Sequence, residues 1–399
     1  MLSKTEIEKY AEVLVWALTT ARTKPYKKGD IIRISFEWEG LELAEAVFKQ
    51  CITKGFQPVI RFVETAGMER HFYKKSCLEQ LQFIAPGTKE LNEKLNGSIF
   101  IMAPSSLTHL KEVAPSKITT AMVARKPFRD ILWRREDEGS FGWTLCSLPT
   151  QALAQAAGLS LKTYTEQIRK ACFLDKNDPI GEWKRVFKVG TAIRKRLNSM
   201  KIKTLTMEAA TWSLQVSLGE QRLWLGQSGH NIPSFEIFTS PDWRGTEGAY
   251  FSNLPSFRTG NIVRDVRIGF KKGQAFSVKA AQGEAFVRKM LKSDVGACRV
   301  GEFSLTDKRF SRISRFMADT LYDENFGGAY GNAHVALGSA YTNTYRGNPS
   351  KLSKKNKADL GYNDSSLHWD LVNTEKKAVT AKLSNGKSVL LYENGEFRI

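Results

Sequence analysis

The chain has 399 residues, of which 42% are hydrophobic and 25% charged, and its formal net charge is +19. These are values of ordinary globular proteins, and the absence of a long apolar run excludes a membrane-spanning helix. The N-terminal segment carries acidic residues and no apolar core, so we expect neither a signal peptide nor a membrane anchor but a cytoplasmic protein.

The first half of the sequence predicts alternating strands and helices. Residues 31–36, 58–62 and 97–103 are typical of buried strands, and helical patterns lie at 7–18 and 41–51. Further helices are predicted at 163–172 and 183–197. No glycine-rich nucleotide-binding motif follows any of these strands. We therefore expect an α/β N-terminal domain covering residues 1–210.

The second half is richer in strands. Alternating patterns at 203–207 and 222–225 predict strands, and residues 263–278 predict a hairpin with glycine in its turn. Asn385-Gly386 and Asn394-Gly395 signal two more hairpins, whereas 284–291 and 312–321 are typical of helices. The sequence thus predicts a β-rich α+β C-terminal domain over residues 211–399, and we expect this domain to carry a metal site.

Two histidines and an aspartate near the C-terminus carry the first chemical signal. His368 and Asp370 are two residues apart in a predicted strand, so both side chains leave by the same face. An imidazole and a carboxylate together can bind a divalent metal ion. His334, in a glycine-rich stretch upstream, is a third candidate ligand, although a lone histidine could equally be a hydrogen-bonded core residue.

Two glutamates are candidates to complete such a site. Glu236 and Glu302 each lie between apolar, strand-like residues, where a carboxylate is costly to bury unless it is paired or bound to a cation. Taken singly, each could be a surface residue, and Tyr341 could be a packing aromatic. Asp323 and Glu324 could support a ligand or only cap a helix.

The order of these motifs resembles the thermophilic-type aminopeptidases, a bacterial family of two-metal exopeptidases. The motifs that carry the resemblance are Asn-Ile-Pro-x-x-Glu-Ile-Phe-Thr-Ser-Pro from residue 231, Gly-Glu at 301–302, Leu-Tyr-Asp-Glu-Asn at 321–325, Ala-His-x-Ala-Leu-Gly at 333–338 and Ser-Ser-Leu-His-x-Asp at 365–370. Together they span residues 231 to 370. The N-terminal half is compatible with the family but less distinctive.

The resemblance implies a metal site and a quaternary structure. It implies two divalent ions per subunit, of zinc, cobalt or manganese, and a homodimer. It also implies a catalytic role for Glu302 and Glu236, with Tyr341 adjoining the site. The implied metal ligands are Glu236, Glu302, His334, His368 and Asp370, with Glu302 between the two ions. Glu236 and Asp370 would serve one ion, and His334 and His368 the other.

The activity implied is hydrolysis of the N-terminal peptide bond of peptides with a free N-terminus. Two ions would hold a bridging water and lower its pKa, and a glutamate would carry the proton to the leaving amine. Two alternatives stay open: another two-metal hydrolase, either an amidase or a phosphoesterase, and a basic nucleic-acid-binding protein with a non-catalytic metal site. Since the lysines and arginines are spread along the chain without a nucleic-acid motif, we do not expect nucleic acid to be the main partner.

Overall fold

The computed structural model describes residues 1–399 and has mixed α/β content with several sheets, as predicted. The helices are α1 (Lys4–Thr20), α2 (Leu41–Thr53), α3 (Ala66–Lys75), α4 (Leu78–Gln82), α5 (Thr88–Lys94), α6 (Pro115–Asp137), α7 (Gln151–Ala156), α8 (Leu161–Ala171), α9 (Pro179–Ser199), α10 (Glu284–Met290), α11 (Thr320–Asp323) and α12 (Lys354–Asp359). No helix combines the length and the apolar character needed to cross a membrane.

The strands are distributed over the whole chain. They are β1 (Ile31–Phe36), β2 (Gln57–Phe62), β3 (Gly97–Met102), β4 (Gly142–Ser147), β5 (Ile202–Ala209), β6 (Ser213–Ser217), β7 (Asn231–Ile232), β8 (Glu236–Thr239), β9 (Asp242–Ser252), β10 (Ser256–Arg258), β11 (Asn261–Val263), β12 (Val266–Lys271), β13 (Gln274–Lys279), β14 (Val300–Thr306), β15 (Asn332–Gly338), β16 (His368–Asn373), β17 (Lys377–Leu383), β18 (Ser388–Glu393) and β19 (Glu396–Phe397).

Residue contacts divide the chain into two compact units. The first comprises Met1–Glu182 and Ser228–Pro233, and the second comprises Trp183–Gln227 and Ser234–Ile399. The division after Glu182 lies earlier in the chain than the domain boundary expected after residue 210. A boundary after residue 210 would separate β5 from β6, which pair with each other. The second unit carries most of the net positive charge.

The first unit is built on a parallel sheet of five strands in the order β2-β1-β3-β4-β7. Parallel sheets need apolar strands because helices cover them, and Ile34 and Ile99 are fully buried neighbours on β1 and β3. Helix α1 packs against α2 and β4. It begins with a capping box in which Ser3 and Glu6 satisfy each other's backbone N–H groups.

The second unit contains two large antiparallel sheets and a two-stranded one, β10-β11. Eight strands follow the order β13-β12-β9-β6-β5-β17-β18-β19, and four follow the order β16-β15-β14-β8. Tyr250 on β9 links the two sheets, since its hydroxyl donates to the carbonyl oxygens of Ala333 and Leu371 on the smaller one. Every residue of β14 and β15 is buried, so the smaller sheet lies in the interior of this unit.

The smaller sheet has two chemically different faces because its side chains alternate. One face belongs to the hydrophobic core, to which it contributes Phe303, Leu305, Val335 and Leu371. The other face carries polar and small residues from all four strands. This opposite face holds the candidate ligands.

The predicted helix at 312–321 is wrong over most of its length. Ile313, Met317 and Leu321 are buried at the predicted helical spacing, yet only α11 is helical. Ala318 has a φ of +53°, which interrupts a helix, and the Asp323 carboxylate accepts the backbone N–H of Met317. A buried side-chain acceptor therefore replaces the helical hydrogen bonds of this segment.

The predicted strand at 222–225 is also wrong. Only isolated bridges form there, from Arg222 to Tyr345 and from Leu225 to Phe238. The Arg222 guanidinium is buried and donates to the carbonyl oxygens of Ser240 and Leu360. Side-chain hydrogen bonds thus organise this segment in place of a continuous ladder.

Candidate metal centre

The candidate ligands come from all four strands of the smaller sheet. Glu236 begins β8, Glu302 lies on β14 and His334 on β15. His368 and Asp370 lie on β16, where their spacing of two brings both side chains to the same face, as predicted. The structure therefore brings together all five residues that the sequence identified as candidate ligands.

Small residues between the ligands leave room above the centre of the sheet. Ala336 lies opposite both Glu302 and Asp370 in the strand register, and Gly338 lies opposite His368. Gly338 has a φ of +99°, and a Cβ at this position would collide with the carbonyl oxygen of Leu367. The tight approach of β15 to the chain leading into β16 thus requires glycine here.

The Glu302 carboxylate lies between the two imidazoles. Its Oε1 is 3.0 Å from Nε2 of His334, and its Oε2 is 3.8 Å from Nε2 of His368. The other carboxylates lie at the two sides: Glu236 Oε2 is 3.4 Å from His334 Nε2, and Asp370 Oδ1 is 3.4 Å from His368 Nε2. The two histidines thus share Glu302, and Asp370 Oδ1 also lies 3.9 Å from His334 Nε2.

Hydrogen bonds outside the cluster orient two of its members. His368 Nδ1 donates a hydrogen bond to the carbonyl oxygen of Ser339 at 2.9 Å, so Nε2 is the ring nitrogen that faces the carboxylates. Ser304, fully buried on β14, donates its hydroxyl to Glu236 Oε2 at 3.0 Å. Nδ1 of His334 is buried and has no hydrogen-bond partner.

The close packing of acids and bases shifts their ionisation. Burial, reinforced by the charge of Glu302, raises the pKa of Glu236 to about 7. Burial alone would lower the pKa of His334, but the hydrogen bond to Glu302 and the charge of Glu236 raise it to about 9. Although burial again opposes it, the charge of Asp370 raises the pKa of His368 to about 9. Burial would raise the pKa of Asp370, but the two histidines hold it below its usual range.

Tyr341 borders the cluster. Its ring centroid lies 4.8 Å from that of His368 and 5.7 Å from that of Phe238, both in edge-on geometry. The residue is 42% exposed, and its backbone N–H donates to the Ser240 hydroxyl. Tyr341 therefore lies at the border between the candidate ligands and solvent.

The sequence left two roles open for Asp323 and Glu324, support of a ligand or capping of a helix. The structure gives the two side chains different surroundings. The Asp323 carboxylate accepts the backbone N–H groups of Met317 and Asp319, so it fixes the loop before α11. Glu324 is buried, and its burial together with the nearby charge of Glu236 raises its pKa well above the usual range. Glu324 thus adds a fourth acidic group to the surroundings of the site.

The donor set fits divalent metal ions. One ligand atom each from Glu236, Glu302 and His334 lie within 4.8 Å of one another. Three carboxylates gathered in a buried pocket repel one another, and cations remove that cost. Mixed oxygen and imidazole donors match the preferences of zinc, cobalt and manganese. The residues present can therefore hold a divalent metal ion.

Sequence reasoning missed Ser304 and Arg258, which contact the ligands from outside. Ser304 lies two residues after Glu302 on β14, so the alternation of a strand could have placed both side chains on the same face. Arg258 donates to the carbonyl oxygen of His368 from a separate hairpin. No local pattern in the sequence signals that contact.

The chain matches known proteins over nearly its whole length. The family model described as thermophilic metalloprotease (M29) matches residues 3–397. Aminopeptidase 2 of Geobacillus stearothermophilus is 27% identical over 98% of this chain and 97% of its own length. Aminopeptidase AmpS of Bacillus subtilis is 24% identical over 93% of this chain and 94% of its own length.

One further relative matches a shorter part of the chain, and a solved structure has a similar fold. Aminopeptidase T of Thermus aquaticus is 29% identical over 64% of this chain and 65% of its own length. The solved structure of wild-type AmpT from Thermus thermophilus superposes with a TM-score of 0.80 at 22% identity and covers 99% of both chains. The latter similarity shows that the fold is shared.

Proposed function

Because this chain belongs to the thermophilic metalloproteases of family M29, we propose that the cluster around Glu302 is the active site of a peptidase. The chain is a metal-dependent aminopeptidase, since its full-length relatives bear that activity in their names and the alternative functions have no comparable support. The observation that carries the site assignment is the position of the Glu302 carboxylate between His334 and His368.

We propose that five residues hold two divalent ions of zinc, cobalt or manganese. Glu236 and His334 lie at one side of Glu302, and His368 and Asp370 lie at the other. This grouping by proximity differs from the pairing that the resemblance implies, and it supports two neighbouring positions with Glu302 between them. Bound ions would lower the pKa of a bridging water and stabilise the oxyanion that develops on the substrate carbonyl.

The residues of the chain supply positioning and proton transfer. Glu236, buried beside His334, is one candidate to accept a proton and return it to a leaving amine. Glu302 is the second candidate for that role. Tyr341, at the exposed border of the cluster, is positioned to contact the substrate as it enters.

The substrates proposed are peptides with a free N-terminus. Asp370, whose pKa the two histidines hold below its usual range, keeps its negative charge at neutral pH and can attract an α-ammonium group. We further propose that the enzyme works as a homodimer in the cytoplasm. The homodimer follows from the resemblance to the family.

The test is hydrolysis of leucyl and arginyl p-nitroanilides by chelator-stripped protein. Zinc, cobalt or manganese is added back in separate reactions, and N-acetylated substrates serve as controls. We expect metal-restored cleavage of the free-amine substrates alone. Binding of two ions without cleavage of any substrate would overturn the aminopeptidase assignment and direct attention to amidase or phosphoesterase substrates.

A further inference from the structure

Strand β16, which carries two of the five candidate ligands, is the edge strand of its sheet. Edge strands open more easily than central strands because one side of the ladder is unpaired. The chain from Ser252 to Arg258 covers that side. The Ser252 hydroxyl donates to the Val372 carbonyl at 3.0 Å, and the Trp369 indole N–H donates to the Ser256 hydroxyl at 2.9 Å.

Arg258 makes the contact that lies nearest the candidate metal position. Its Nη1 donates to the backbone carbonyl oxygen of His368 at 2.9 Å, and its guanidinium carbon lies 5.6 Å from the centroid of the Trp369 ring. Electrostatic attraction also joins it to Asp370. Arg258 therefore touches or attracts all three consecutive residues 368–370.

Two hydrogen bonds fix His368 from opposite sides. Arg258 donates to the main-chain carbonyl oxygen of His368, while the ring Nδ1–H of His368 donates to the carbonyl oxygen of Ser339. Fixing both the backbone and the ring leaves Nε2 one direction in which to point. A ligand held in this way loses less conformational freedom when a metal ion binds.

We propose that Arg258 is a positioning residue that strengthens metal binding at the side of the cluster formed by His368 and Asp370. The inference rests on the metal site of the proposed function. Two effects of Arg258 oppose each other, because its positive charge repels a cation while its hydrogen bond orders the ligand. We expect ordering to dominate, since the charge is directed at a carbonyl oxygen and is attracted to the carboxylate of Asp370.

The experiment measures binding of cobalt(II) to chelator-stripped protein by calorimetry and by the visible absorption of the bound ion. Arg258→Met removes the charge and the donor while keeping an unbranched chain, and Arg258→Lys keeps the charge and one donor group. Arg267→Met is the matched control, because Arg267 also donates to a carbonyl oxygen, that of Thr211, and stacks on a ring, that of Phe251.

We expect Arg258→Met to weaken binding of one of two cobalt ions by about 10–100-fold, the range typical for residues that orient ligands. Arg258→Lys should give a smaller loss, and Arg267→Met should bind as the wild type does. Equal or tighter binding by Arg258→Met would overturn the proposal. If that variant does not fold, wild-type affinity in Arg258→Lys with an unchanged cobalt spectrum would overturn it instead.

Metal binding and hydrolysis separate this inference from the proposed function. Wild-type protein that binds cobalt but cleaves no aminoacyl nitroanilide would contradict the aminopeptidase assignment, whereas the effect of Arg258 would still be measured. Unchanged cobalt affinity in the Arg258 variants, with active wild-type enzyme, would contradict only the positioning role.

Discussion

The Glu302 carboxylate and the His334 imidazole lie 3.0 Å apart on neighbouring antiparallel strands, Oε1 to Nε2. The other oxygen of Glu302 is directed toward His368, 3.8 Å from its Nε2. A carboxylate with one oxygen toward each of two imidazoles has the arrangement needed to join two metal positions. Several expected outcomes depend on this relationship.

Replacing Glu302 with glutamine should remove activity without unfolding the protein. The change keeps the shape of the side chain but deletes the negative charge between the two proposed positions. We expect kcat/KM for a leucyl p-nitroanilide to fall by about 10²–10⁴-fold, the usual contribution of an acid–base group and a lower limit for a shared ligand. Glu208→Gln, at an exposed site on β5, is the control. Activity of Glu302→Gln near that of the control would contradict the assignment.

Replacing His368 with alanine should lower the metal content. His368 and Asp370 form one side of the cluster, 3.4 Å apart, so loss of the imidazole leaves that position with carboxylates alone. We expect elemental analysis after dialysis to find about one ion fewer per chain than in wild-type protein. His71→Ala, which changes an exposed histidine, should keep the full content. Two retained ions in His368→Ala would remove His368 from the ligand set.

The sequence could predict this pair because both residues lie on one strand, where a spacing of two fixes a common face. Their relation to Glu236 and Glu302 depends on the pairing of four strands that are distant in the chain. Strand pattern alone does not determine that pairing, and only the resemblance to a family linked these residues. The contact of Arg258 with His368 is likewise a product of tertiary structure.

The segment at 312–321 shows why local pattern can fail. Its apolar residues have helical spacing and are buried as expected, but the Asp323 carboxylate offers the backbone a competing acceptor. A buried carboxylate that binds backbone N–H groups outweighs helix propensity, which is worth less than ~1 kcal/mol per residue. Such tertiary partners have no signature in the segment itself.

Metal binding should release protons at neutral pH. In metal-free protein the pKa of both His334 and His368 is raised to about 9, so both rings are protonated at pH 7 and must lose a proton to bind metal. The affinity for zinc should therefore rise as pH increases from 7 to 9. Calorimetry in buffers of different ionisation enthalpy would measure the protons released. A binding enthalpy independent of the buffer at pH 7 would contradict this expectation.

Replacing Tyr341 with phenylalanine should reduce turnover while leaving metal content unchanged. The ring contact with His368 survives this change, whereas the hydroxyl that could contact substrate is lost. We expect kcat to fall by about tenfold to a hundredfold, the loss of one hydrogen bond made to a charged transition state. Tyr330→Phe, at a residue that is 40% exposed, is the control. A wild-type kcat in Tyr341→Phe would limit Tyr341 to ring packing.

Lys377 should destabilise the protein at neutral pH. Its side chain is buried on β17 and its Nζ has no hydrogen-bond partner. Burial lowers its pKa to about 7, from an ordinary value of 10.5. The unfolded chain therefore binds a proton more tightly than the folded one, and the resulting cost is fully present below pH 7 and declines as pH rises toward 10.5.

Replacing Lys377 with methionine should relieve this cost, because methionine fills a similar volume without a charge. We expect a gain of roughly 2–4 kcal/mol near pH 7, seen as a higher urea midpoint of unfolding, since a buried and unpaired ammonium is expensive. The gain should shrink at pH 10, where the amine is neutral in the folded protein and partly neutral in the unfolded chain. Lys376→Met, at the adjacent exposed residue, should change the midpoint little at either pH. Equal shifts of the midpoint in the two variants, or a shift in Lys377→Met that does not depend on pH, would show that Lys377 is charged and solvated in the folded protein.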